Sequence, residues 1–206
     1  MTKSAASETD TLIDMLRHGE PVGGRAYRGN SIDDPLTDKG WEQMRRAING
    51  FDDWDVIATS PLQRCLAFAE ELAQNIGLEV TVEPSFREVG FGEWEGRVPD
   101  EIIKSNREEY EAFYQDPENC RPEGAEPLQD FTDRVIGAYE ELVRKNSGKH
   151  LLIVTHAGVM RAIIAHVLGA PPVGMYRIKV ENAGITRIRH TRYGPKLELH
   201  NAGFVS

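Results

Sequence analysis

The 206-residue chain has only two cysteines, Cys65 and Cys120, and no CxxC or Cys/His spacing. A zinc site therefore has no support, and two isolated thiols suit a reduced, cytoplasmic protein. Positive charge is also scarce, with 24 Lys and Arg against 33 Asp and Glu and a net charge of -9. The pI is about 5.2. Nucleic-acid binders need surplus cations for phosphate contacts, so that class is not expected. A small anionic substrate stays open, because a few arginines in one pocket can reverse the local field. No apolar run approaches the ~18 residues of a membrane span. The opening MTKSAASETDT has no apolar core of a secretory signal. Internal repeats and low-complexity segments are missing as well.

Hydrophobic residues make up 40% of the chain, which suits a packed globular protein. The expectation is a loose tail over residues 1–10 and one domain over 11–206. An apolar strand is predicted at about 11–17. A Gly-rich loop follows, then a helix beginning near Thr37 as N-cap. A strand at DVIATS leads to a helix that opens near Pro61 and closes at Gly77. LEVTVEP alternates as a third strand. Residues 87–126 form a charged, aromatic-spiked excursion with one helix expected inside it, a lid-like insertion. Leu128, Phe131, Val135, Ala138, Tyr139 and Leu142 then repeat at helical spacing. HLLIVTH is nearly all apolar, as a central strand covered on both faces would be. A helix over AGVMRAIIAHVLG follows, then short strands and turns. This order predicts a three-layer α/β/α sandwich around a mostly parallel sheet.

Ligands of such sheets bind outside the carboxyl ends of the strands. Three unusual groups fall at those ends: Arg17-His18-Gly19, the TSPLQR segment carrying Arg64, and THAG carrying His156. Arginine matches phosphate with forked hydrogen bonds. A helix N-terminus supplies N–H groups and a favourable dipole, with the Ala157 N–H as a candidate donor. Arg64 lies early in a helix, where the dipole disfavours a cation, so a mere surface ion pair explains it poorly. The residues alone predict a phosphate pocket that contains histidines.

The blocks LRHGE, D-PLT--G, SPLQRC, REVGFGEWEG and VTHAGVMR, in that order, resemble the histidine phosphatase superfamily, over about residues 12–168. FGEWEG is similar to the phosphatase branch, in particular the α-ribazole phosphatases. The resemblance implies that His18 is the nucleophile that becomes phosphohistidine. It implies that Arg17, Arg64 and a cationic His156 surround the phosphoryl group and that Glu88 is the proton donor. No cofactor and no metal would be required. The partner would be a small phosphorylated substrate, and a homodimer is compatible with it. One departure concerns the asparagine that members commonly carry six residues after the nucleophile; Gly24 stands there. Arg25 or Arg28 could supply the missing contact or bind another part of the substrate.

Bland readings are kept for the other residues. Glu93 and Glu95 compete with Glu88, but Glu95 is expected to bond loop backbone beside Gly96. Trp94, Tyr110, Phe113 and Tyr114 are expected to pack rather than to touch substrate. Cys65 is expected to be a small core residue. His150, His166, His190 and His200 carry no constellation. Thr59, Ser60 and Thr155 are expected to hold backbone or an imidazole in place. Mutases of the superfamily typically have a lysine soon after the acid-bearing block and a paired-arginine stretch beyond it. Arg97, Lys104, Arg107 and Arg121 are instead scattered among acids, which favours hydrolysis over isomerisation. A non-catalytic phosphate-binding regulator would have lost part of the set, and all five expected side chains are present.

Overall fold

The computed structural model describes residues 10–204; of the tail expected over residues 1–10, residues 1–9 lie outside the described residues. Six strands form one sheet in the order β3-β2-β4-β1-β5-β6. They are β1 (Thr11–Arg17), β2 (Val56–Thr59), β3 (Val80–Val82), β4 (His150–Thr155), β5 (Ile185–Thr191) and β6 (Gly194–Ala202). The first four run parallel, and β5 and β6 add an antiparallel hairpin against β1. The sheet is thus mostly parallel, as expected, although the two C-terminal strands are longer than the short strands expected there.

Residue alternation along β4 shows why there are three layers. Leu151 and Ile153 enter a core with Phe131, Val135 and Tyr139 of α5 (Leu128–Lys145) and Val159 and Ile163 of α6 (Ala157–Val167). Leu152 and Val154 enter a second core with Met44 and Ile48 of α1 (Asp38–Ile48) and Phe68 and Leu72 of α2 (Gln63–Ile76). A strand buried on both faces must be apolar at every position. Each fully buried Leu or Ile contributes about 1.5–3 kcal/mol of transfer free energy. Among the described residues, no helix is long and apolar enough to cross a membrane.

Helix ends follow local chemistry. Thr37 caps α1, its Oγ1 accepting from Gly40 N at 3.0 Å. Gly77 closes α2 with φ 74°. That helix starts at Gln63, two residues after Pro61. The excursion holds two short helices rather than the one expected: α3 (Pro99–Ser105) and α4 (Arg107–Gln115). Asn106 divides them, because its side chain accepts from Glu109 N at 3.1 Å and caps the second helix. Trp94, Ile102 and Phe113 form a small core of their own beneath it.

Candidate active site

β1, β2 and β4 are neighbours, so their carboxyl ends lie side by side and deliver His18, the Ser60–Arg64 turn and His156 to one edge. Gly19 is required there, because a Cβ on it would lie 2.1 Å from the Gly40 carbonyl of α1. A cavity of about 260 Å³ opens at this edge. It is lined by Arg17, His18, Arg25, Arg28, Arg64, Glu88, Ala157 and Arg161, with Tyr27, Phe91 and Tyr114 at its side. A second hollow of about 540 Å³ shares Arg17, His18, Arg25 and Arg28.

His18 is buried, its backbone N–H bonded to the Thr155 carbonyl at 2.9 Å. Its Nδ1 stands 2.7 Å from the Gly19 carbonyl. A carbonyl only accepts, so Nδ1 carries the proton and Nε2 keeps its lone pair. Burial, with Arg17 and Arg64 adding repulsion, holds the imidazole well below its usual pKa. His18 is therefore neutral, as a nitrogen nucleophile must be.

His156 packs edge-on against His18, ring centroids 5.3 Å apart. Its Nε2 lies 2.7 Å from Ser60 Oγ, which also accepts from Leu62 N at 3.3 Å. Burial, followed by Arg64 and His18, holds this ring well below its usual pKa as well. Among the protein's own groups this favours the neutral ring, whereas the cationic His156 is expected beside a bound phosphoryl group. A phosphoryl dianion beside it would oppose that shift.

Arg64 is 1% exposed. It donates to the carbonyls of Ile32 at 2.7 Å and Gly29 at 3.1 Å, tying the β1–α1 loop to the site. Arg17 donates to the Val180 carbonyl at 2.7 Å. Burial pushes its pKa down to about 10, with repulsion from Arg161 set against attraction from Glu88. Among the described residues, the Nε–H groups of both arginines, like that of Arg121, are buried without an acceptor. Leaving buried charged donors unmade is costly, and the two guanidinium groups that carry them also line the cavity, a lining that suits an anion.

Glu88 lines the same cavity. Its Oε1 accepts from Val89 N at 2.9 Å and its Oε2 from Gly158 N at 3.1 Å. Glu95 instead spends its oxygens on the backbone N–H groups of Asn30, Ser31 and Phe91. Arg28 is buried, with Nε on Asp34 at 2.9 Å and Nη2 on the Val22 carbonyl at 2.5 Å, so two of its five N–H donors are held by the loop while the residue lines both hollows. Arg25 is exposed and lines both hollows. Gly24 sits in an exposed turn with φ 67°. Ala157 lines the cavity in the first turn of α6, where its N–H has no partner within the helix.

Trp94 and Phe113 are buried in packing, whereas Tyr114 is 54% exposed at the cavity and meets Tyr27 OH at 2.6 Å. The Cys65 thiol is pushed up by burial, which suits a core residue. His150, His166, His190 and His200 have partners elsewhere: Asp14, Glu140, Tyr139 and Thr186. Among the described residues no group of three or more His, Cys, Asp or Glu side chains is arranged to hold a metal ion. The sequence reading missed Arg161, although it falls within the quoted VTHAGVMR block; its Nε is aimed by the Ile178 carbonyl at 2.7 Å.

The model for "Histidine phosphatase superfamily (branch 1)" matches residues 13–203. The chain belongs to the histidine phosphatase superfamily. Its fold and enzyme class are those of that superfamily. It is 28% identical over 172 residues to an adenosylcobalamin/α-ribazole phosphatase of Escherichia coli, covering 81% of this chain and 84% of that protein. It is 30% identical over 182 residues to a probable phosphoglycerate mutase, GpmB, of Cronobacter sakazakii, covering 84% and 82%. A solved mycobacterial glucosyl-3-phosphoglycerate phosphatase superposes with a TM-score of 0.82 at 25% identity, covering 94% of this chain and 99% of that one.

Proposed function

We propose that the chain is a metal-independent phosphomonoester hydrolase that works through phosphohistidine at His18. The guanidinium groups of Arg17 and Arg64, which line the cavity that holds the neutral His18 and each keep an acceptor-less N–H, carry this reading. His18 Nε2 attacks phosphorus while the ester P–O bond breaks. Glu88 gives its proton to the leaving alkoxide. Water then attacks phosphorus as the P–N bond breaks, Glu88 takes a proton from that water, the electron pair returns to His18 Nε2, and inorganic phosphate and free His18 result. Arg17, Arg64, His156 and the Ala157 N–H stabilise the equatorial oxygens, supplying by fixed donors the charge that phosphoryl transfer needs.

The substrate is a small phosphorylated metabolite, with α-ribazole 5′-phosphate the first candidate. Tyr27, Phe91 and Tyr114 line the cavity beside the arginines and offer its flat base an aromatic wall. A relative named for that substrate supports the choice. Because another relative is named as a mutase, the decisive screen measures free phosphate and isomerised product separately, on α-ribazole 5′-phosphate, 3-phosphoglycerate and nitrophenyl phosphate.

His18→Ala is expected to lower turnover by at least ~10⁴-fold and to abolish acid-labile phosphate labelling. Normal labelling of that variant would place the nucleophile elsewhere. Activity is expected to persist in excess EDTA, and a loss restored by a divalent cation would refute the metal-independent mechanism.

A further inference from the structure

We infer that Arg134, together with Glu126, is a positioning residue that sets Glu88 for proton transfer. The inference rests on the reading of Glu88 as the acid. Glu88 stands in irregular chain after a 3-10 turn at Pro84–Phe86, on no helix or strand. Something else must fix it, since a misplacement of about 1 Å at a reacting group can cost about 10²-fold in rate.

Arg134 reaches this segment from α5. Its Nη1 donates to the Ser85 carbonyl at 2.6 Å and the Arg87 carbonyl at 2.9 Å. Its Nη2 donates to the carbonyl of Glu88 itself at 3.1 Å. Nε and Nη2 bind the two oxygens of Glu126 at 2.6 and 2.8 Å. A guanidinium has five N–H donors, and these contacts occupy all of them. None is left for a ligand, and Arg134 does not line the cavity. Glu126 completes the hold by accepting from Gly90 N at 3.0 Å. The backbone is therefore gripped on both sides of Glu88, at 85, 87 and 88 by Arg134 and at 90 by Glu126. The guanidinium lies over the Phe131 ring at 4.9 Å, which fixes its plane against α5. The Val89 and Gly158 N–H groups then fix the outer end of the Glu88 side chain. Lysine could not replace this fork, because a point charge with three donors cannot serve three carbonyls and a bidentate carboxylate together.

The test compares Arg134→Lys and Glu126→Gln with Glu88→Gln. The two substrates are nitrophenyl phosphate, whose leaving group needs no proton, and the alkyl phosphomonoester that the protein turns over best. Each of the first two variants is expected to lose about 10–100-fold in kcat/KM on the alkyl ester and less than about threefold in kcat/KM on nitrophenyl phosphate; kcat/KM reads phosphohistidine formation alone and leaves out the later step, common to both substrates, in which Glu88 takes a proton from water. The double variant Arg134→Lys/Glu88→Gln is expected to be no slower on the alkyl ester than Glu88→Gln alone. Equal losses on both substrates, or losses that multiply in the double variant, overturn the inference. If Glu88→Gln itself slows both substrates equally, the acid assignment falls and takes this inference with it. If Glu88→Gln is selective and Arg134→Lys is not, the positioning role falls alone. Glu126→Gln keeps the shape of the clamp and gives the same comparison should Arg134→Lys melt too low to assay.

Discussion

Gly158→Ala should separate activity from stability. Gly158 is the second residue of α6, and a Cβ on it would lie 2.2 Å from Glu88 Oε1 and 3.1 Å from Glu88 Cδ. Ordinary contact begins near 3.4 Å, so the carboxylate must retreat by about 1.2 Å. The group in the way is the end of a rotatable side chain, so it swings aside and α6 stays where it is. Retreat also costs the Gly158 N–H to Oε2 bond. The helix itself gains, since alanine is favoured over glycine in a helix by about 0.5–1 kcal/mol. An acid displaced by that distance should cost about 10²-fold in kcat/KM, which reads phosphohistidine formation alone, on an alkyl phosphomonoester, or about 2.7 kcal/mol of barrier. Nitrophenyl phosphate, whose leaving group needs no proton, should change by less than about threefold. The assay is steady-state kinetics on both esters with a thermal melt of the same preparation. The melting temperature should hold or rise. Wild-type turnover of the alkyl ester by folded Gly158→Ala would refute the placement of Glu88 as the acid. An equal loss on both esters would locate the damage in the phosphate clamp.

Acid should destabilise the fold early. His18 and His156 have folded pKa values held well below 6.5, so unfolding takes up protons; stability is fully present above about pH 6.5 and is lost as pH falls from there, at up to about 1.4 kcal/mol per pH unit for each. Urea midpoints at pH 7.5, 6.5 and 5.5 should therefore fall, more shallowly in His156→Gln, and a constant midpoint would refute the neutral pair. Arg187→Met should cost about 3–5 kcal/mol by urea unfolding, because fully buried Asp14 would keep only Trp54 and His150 as side-chain partners; a loss under about 0.5 kcal/mol would show that those two suffice. Cys65→Ala should keep phosphohistidine labelling, since burial keeps the thiol protonated; loss of labelling in a folded variant would give the sulfur a part in the chemistry.

The arginines and histidines proposed to do the chemistry were legible because each sits in a short local block that follows a strand end, whereas Glu88 stands in irregular chain and was legible from its REVGFGEWEG block. An apolar run that stops in Arg17-His18 marks where β1 leaves the sheet, and THAG marks the same place on β4. Once the α/β order is read, those ends must share an edge, and the adjacency of β2, β4 and β1 brings the blocks together. The break at Asn106 was less visible, since a polar, helix-compatible stretch shows no periodicity change where one side chain caps the next helix. The pull of burial and of Arg64 on the His156 ring was not legible, because both act through space and no local spacing encodes them.

What holds the site was hidden for a different reason. Arg134 and Arg64 work largely by donating to backbone carbonyls of distant segments. Every residue has a carbonyl, so nothing in the sequence of the accepting segment announces the bond. On the helix, Arg134 reads as one more cation between Asp133 and Val135. The same reasoning bears on the loop that carries Gly24. Arg28 lies there with Nε on Asp34 and Nη2 on the Val22 carbonyl, while Arg25 stays exposed between the two hollows. A fork partly held by its own loop shapes the wall. An exposed one is free to meet the part of the substrate that lies beyond the phosphoryl group, which makes Arg25 the better place to alter specificity and Arg28 the better place to alter the cavity.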